Sequence, residues 1–134
     1  MDTGFPDYIP SQVPYSATAT GKRIVPPLMA LRTWGGALND FARAVAVDKD
    51  GNVYVVGTVN LPATGMGWLI RKLSPGLQSV LATATWSSPG NWSDEPWAVA
   101  VDGAGNVVVA GASGSVMGTD WEIRKYDPSL TAVL

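Results

Sequence analysis

The residues whose types suit chemistry gather in one short stretch, Asn91, Trp92, Ser93, Asp94 and Glu95, with Asn39, Asp40, Asn60 and Asp120 beside comparable turns elsewhere. An exposed indole beside amides and carboxylates is the chemistry of sugar recognition, since the ring stacks on C–H faces while Asn and Asp bond hydroxyls. Asp94 and Glu95 are also the one carboxylate pair that reads as an acid and a base for glycoside cleavage. Neighbours in an extended chain point apart, which weighs against it. The chain has no His and no Cys, so Ser-His-Asp, Cys-His and His-metal designs are excluded within it. No enzyme activity, metal or cofactor is expected. Trp92, Asn91, Asp94, Glu95, Asn60 and Asp120 are therefore candidate ligand-binding residues, and the bland alternative is that Trp92 packs while the acids cap turns. Asp40 and Asp94 fall at one repeat position, which favours the cap.

The elements that position these residues come in two copies. "AVAVDKDGNVYVVG" at 44–57 returns as "AVAVDGAGNVVVAG" at 98–111, with ten of fourteen positions identical and an offset of 54. Turn residues cut each copy into four strand-length pieces: 42–48, 52–59, 67–74 and 78–86 in the first, and 96–102, 106–113, 120–127 and 130–134 in the second. Within the first hairpin, "DKDGN" supplies a tight turn in which Gly51 takes a positive φ and the Asp48 carboxylate accepts from turn amides. It lacks the bidentate acid of a calcium loop, and its second copy reads "DGAGN". "AVAV", "VYVV" and "VVVA" are apolar at successive positions, as in a sheet covered on both faces. Units of four strands at a period near 50 residues bury those faces against one another.

The first-to-second and third-to-fourth connections lie at one end of the strands. Segments 35–40, 60–66, 87–96 and 114–119 are expected as long loops at the other, where ligand binding is favoured. The pairs Arg71, Lys72 and Arg124, Lys125 sit mid-strand, and one member of each is expected to meet a repeated acid such as Asp48 or Asp102. Trp34, Trp68, Trp86 and Trp121 recur in register and are assigned to packing.

Composition agrees. Among 134 residues, 46% are hydrophobic and only 15% charged, with 15 Gly and 10 Pro, a profile of short strands joined by turns. A net charge of −2 offers no basic footprint for nucleic acid, and no apolar run is long enough for a membrane helix. The division read from the sequence is an extended arm or linker at 1–21, an outer-strand hairpin at 22–34, a first blade at 35–86 and a second at 87–134 whose last strand stops early. The opening "MDTGFPDYIP" lacks the basic and apolar regions of a signal peptide, so export is either not encoded here or its leader is gone.

The spacing "AVAVDxxGNVxVxG", a third strand carrying Trp and a basic pair, "SP" or "DP", and a closing Trp together resemble the bacterial seven-bladed β-propeller repeat family over about residues 32–134. The resemblance implies a propeller, an extracellular or cell-surface location, and no single activity. The fold expected is all-β, two four-stranded antiparallel blades, as a partial propeller or as one protomer of an oligomeric ring. Closed propellers have about four to eight blades. The partners implied are further blades, supplied by a longer parent chain or by other copies joined head to tail, three making six blades and four making eight. In the second case 28–34, which resembles "SVLATATW" at 79–86, completes the neighbour's last blade. Three roles follow as expectations: a scaffold or binding module for carbohydrate or protein, a self-assembling structural unit, and a carboxylate-dependent enzyme.

Overall fold

The computed structural model describes residues 30–134, together with the backbone of two short strands, β1 (Ser16–Ala17) and β2 (Arg23–Ile24). Two compact units divide the chain, 1–31 and 32–134. In the first, β1 and β2 pair antiparallel, Ser16 opposite Ile24 and Ala17 opposite Arg23. The remainder of the expected arm, and the 22–29 portion of the expected outer hairpin, lie outside the described residues.

The second unit is all-β. Its first sheet has the order β3 (Phe41–Val47), β4 (Val53–Leu61), β5 (Gly65–Leu73), β6 (Val80–Trp86), every neighbour antiparallel. The second follows with β7 (Glu95–Val101), β8 (Val107–Ser115) and β9 (Gly118–Tyr126). The sheets are blades of a partial propeller, each a meander, because the turn chemistry between strands allows nothing longer. At the first turn Asp48 Oδ1 accepts from the amides of Asp50 and Asn52, both at 2.9 Å, and Gly51 has φ 84°. Asp102 repeats the arrangement with Ala104 at 3.0 Å and Asn106 at 2.9 Å, around Gly105 at φ 86°. The third-to-fourth turns repeat as well. Leu77 (φ 59°) and Leu130 (φ 61°) hold the left-handed conformation at equivalent places in "SPGL" and "DPSL", and the chain tolerates it because a type I turn followed by one such residue closes a bulged hairpin.

Three expectations change. Segments 60–66 and 114–119 are tight hairpins rather than long loops: the strands run on to Leu61 and Ser115 and resume at Gly65 and Gly118. The second sheet has three strands, because the expected strand 130–134 makes one bridge, Val133 with Tyr126. Of the four recurrent tryptophans expected to pack, Trp121 is 89% exposed and Trp34 41% exposed.

The core lies between the sheets. One face of the first contributes Tyr54, Val56, Trp68 and Ile70, and the facing side of the second contributes Val107, Val109, Tyr126 and Leu130. Trp68 stacks edge-on against Trp86, centroids 5.1 Å apart, and its Nε1 donates to the Ala112 carbonyl at 3.2 Å. Each large apolar side chain so buried contributes about 1.5–3 kcal/mol.

Candidate functional site

The candidate residues ride on the 87–94 connection and on the strand ends beside it. Asp94 is fully buried. Its Oδ2 accepts from the Ser88 amide at 2.7 Å, its Oδ1 from Ser88 Oγ and from the Gly114 amide, both at 2.8 Å. Its own amide donates to the Met66 carbonyl at 3.0 Å. One residue thus ties three parts together: its carboxylate joins the connection to the second sheet, and its amide reaches the first. Asp40, at the same repeat position, is a half-buried echo of this cap: it accepts from the Gly36 amide at 2.6 Å.

Glu95 turns the other way. Its Oε2 meets Arg43 at 3.5 Å and accepts from Trp97 Nε1 at 3.4 Å, so the two carboxylates diverge and share no substrate-sized space. Trp92 is 39% exposed; its indole folds back over Gly90, whose φ of 102° leaves the room, and its Cβ sits against Gly114. Asn91 places Oδ1 over Gly65, another positive-φ glycine at 76°. Asn60 donates from Nδ2 to the Asn39 carbonyl at 3.3 Å. A groove lined by Gly35, Leu38, Asp40, Asn60, Leu61 and Asn91 brings the two asparagines together. Asp120 stands apart, exposed on β9 opposite Ser113.

The basic pairs do more than the sequence reading assigns them. Lys125 meets Asp102 at 2.9 Å as expected, whereas Lys72 crosses to the second sheet and donates to the Pro128 carbonyl at 3.1 Å. Lys125, then the Asn106 amide, hold the Asp102 carboxyl far below its usual range. Ser129, followed by the Ala132 amide, hold Asp127 at about 2. For Asp48 desolvation works upward, and the Asn52 side chain and turn amides outweigh it, leaving the carboxyl lowered. Arg124 lies against the Trp86 ring at 4.8 Å and donates to Glu122 at 2.8 Å and to the Tyr126 hydroxyl at 3.2 Å; desolvation alone would lower its pKa, and these partners raise it. Arg71 repeats the stacking, on Trp34 at 4.7 Å. Both acceptors are gone, because Leu69 and Leu73 stand where Glu122 and Tyr126 do, and Arg71 Nε and Nη1 are buried without an acceptor among the described residues.

The blade faces, against which the repeat implies further blades, differ in exposure between the two copies. Trp68 and Ile70 are 0% exposed, yet their equivalents fifty-three residues on, Trp121 and Ile123, are 89% and 64% exposed. On the far side of the first sheet, Val45 and Val47 are exposed, Val53, Val55 and Leu77 are half-buried and Leu73 is buried. Their equivalents Val99, Val101, Val107, Val109, Tyr126 and Leu130 form or border the core between the sheets. The face of the second sheet that carries Trp121 and Ile123 is therefore open, and the far face of the first sheet is open at Val45 and Val47. The signal was in the repeat register: a face that packs in one copy and lacks a neighbour in the other.

Residues 34–60 match the family model for the β-propeller repeat, SBBP. No curated protein matches the chain.

Proposed function

We propose that this chain, which carries the β-propeller repeat over residues 34–60, is a non-enzymatic scaffold module whose outward apolar residues, Trp121 and Ile123 on one sheet and Val45 and Val47 on the other, hold further blades. The observation that carries the reading is the contrast between Trp68, wholly buried by the second sheet, and Trp121, 89% exposed at the same repeat position. Contiguous exposed apolar surface on a soluble domain marks an interaction site, and this one has the register of an interface already formed inside the chain. Light scattering on the 14.0 kDa chain is expected to give a particle of several chains, three or four if a ring of six or eight blades closes. Trp121→Glu, which alters a side chain that supports nothing within one chain, is expected to give a folded monomer. A wild-type monomer, or a variant with unchanged particle mass, would overturn the reading.

The long-loop end supports a second role, as a binding surface for carbohydrate or protein, because Trp92 and the groove holding Asn60 and Asn91 stay accessible while Asp94 is consumed as a cap. Glycan binding that vanishes in Trp92→Ala is its signature. An extracellular or cell-surface setting belongs to the same reading and rests on the family resemblance.

A further inference from the structure

Resting on the reading of the long-loop end as a sugar-binding surface, we propose that the groove beside Asn60 and Asn91 takes an acidic sugar, whose carboxylate is held by Arg71. The two copies of the repeat supply the argument. Arg71 and Arg124 hold one repeat position and stack alike, 4.7 Å from the Trp34 ring and 4.8 Å from the Trp86 ring. Arg124 donates from Nη1 to Glu122 at 2.8 Å and from Nε to the Tyr126 hydroxyl at 3.2 Å. The same two atoms of Arg71 are buried and have no acceptor among the described residues. Leu69 and Leu73 replace the acid and the phenol, so the first copy keeps the cation and discards its counter-charge. A buried charged donor left without a partner costs stability, and its retention is explained by an acceptor that arrives from outside the chain.

Arg71 borders a groove of about 950 Å³, the size of a small-ligand cleft. Trp34, Leu38, Asp40, Asn60 and Asn91 share its walls. Trp34, 41% exposed, and Leu38, 65% exposed, offer apolar surface to the C–H side of a sugar ring. Asn60 donates from Nδ2 to the Asn39 carbonyl at 3.3 Å, which leaves its Oδ1 to accept from a hydroxyl, while Asn91 carries both a donor and an acceptor. Asp40 takes the Gly36 amide on Oδ2 and has a second oxygen for a hydroxyl. Charge decides the class of ligand. Among the described residues Arg71 is the one cation on the groove walls and Asp40 the one anion. A neutral sugar leaves the guanidinium without a counter-charge. A densely acidic peptide meets a single cation and is repelled by Asp40. A sugar unit with one carboxylate and several hydroxyls suits both, because the carboxylate makes a charge-assisted hydrogen bond with Arg71 and the hydroxyls donate to Asp40 and Asn60.

Cellobiouronate and cellobiose form the probe pair, because they differ only in a carboxylate that replaces a hydroxymethyl group. Titrations followed by tryptophan emission are expected to show the acidic disaccharide binding at least about tenfold more tightly, the low end for a hydrogen bond to a charged group. Arg71→Gln is expected to bring the two affinities together and Asn60→Ala to weaken both, whereas Arg124→Gln, outside the groove, keeps the preference. Thermal unfolding without ligand is the second readout. Arg124→Met gives up Glu122 and Tyr126 and is expected to melt below the wild type. Arg71→Met gives up no hydrogen bond from Nε or Nη1 and is expected to melt at or above it. A loss in Arg71→Met as large as that in Arg124→Met would overturn the proposal by making Arg71 a structural residue. Equal affinities of the wild type for the two disaccharides overturn the acidic specificity and leave a neutral-sugar site standing, whereas binding of neither overturns the sugar reading as well. A penta-glutamate peptide bound as tightly as cellobiouronate overturns the sugar and makes the groove a peptide site.

Discussion

Replacing Asp94 by Ala tests how the 87–94 connection is tied to the second sheet. The side chain is fully buried and receives three separate donors, the Ser88 amide, Ser88 Oγ and the Gly114 amide, at 2.7–2.8 Å. Removing it leaves two backbone N–H groups and a hydroxyl without their acceptor at the seam between blades. A buried polar group that loses its partner costs about 1–3 kcal/mol, so three orphans set a loss of at least about 3 kcal/mol even if each sits at the low end. For a unit of this size that corresponds to a melting temperature lower by roughly 12 °C or more, at about 4–8 °C per kcal/mol. Asp40→Ala is the internal control. It occupies the same repeat position but, half-buried near the surface, accepts among the described residues only from the Gly36 amide, and is expected to cost about 1 kcal/mol or less. Denaturant unfolding followed by tryptophan emission reads both variants, because Trp68 is at the core and Trp86 packs against it. Equal losses in the two variants, or an Asp94→Ala loss within about 1 kcal/mol of wild type, would refute the assignment of Asp94 as a structural tie.

Two further outcomes follow from the same geometry. Gly111→Ala is expected to destabilise by about 1–3 kcal/mol or more, as overpacking does, because a Cβ there collides with the Glu95 carbonyl at the bulge between Pro96 and Ala98; thermal unfolding by circular dichroism checks it, with Gly103→Ala, in open space, expected to be near neutral. Acid is expected to loosen the second blade's turns. Asp127 lies at about 2 against an ordinary 3.8, and Asp102 is also lowered, so their contribution is complete above 3.8 and is lost as pH falls through the folded values. Hydrogen exchange at the amides of Thr131 and Ala132, which donate to Asp127, compared at pH 5 and near pH 2 after correction for intrinsic rates, should lose protection at the lower pH, whereas Ala104 and Asn106, which donate to the further-lowered Asp102, should keep more of theirs.

Much of this fold is legible without coordinates because its determinants are local. A carboxylate two residues before a turn amide, a glycine that accepts positive φ, and apolar residues on both strand faces decide each hairpin within about a dozen residues. That is why β3, β4, β5 and β6 fall within a few residues of their expected bounds. The 60–66 and 114–119 connections were misread because Pro, Gly and Thr mark a turn without saying how far the flanking strands extend; cross-strand pairing settles that, Asn60 with Met66 and Ser113 with Asp120.

The candidate site depended on what lies across space. Asp94 and Glu95 are adjacent in sequence and opposite in fate, one buried as a cap and the other paired with Arg43, since the strand sends consecutive side chains to opposite sides. The sequence alone determined that two sheets of one design follow each other and that no histidine or cysteine chemistry operates within the chain. Only the tertiary structure decided which copies of each repeated residue are enclosed. Trp68 and Trp121 are the same residue in the same local setting, and burial is a property of the neighbour, which one sheet has among the described residues and the other does not.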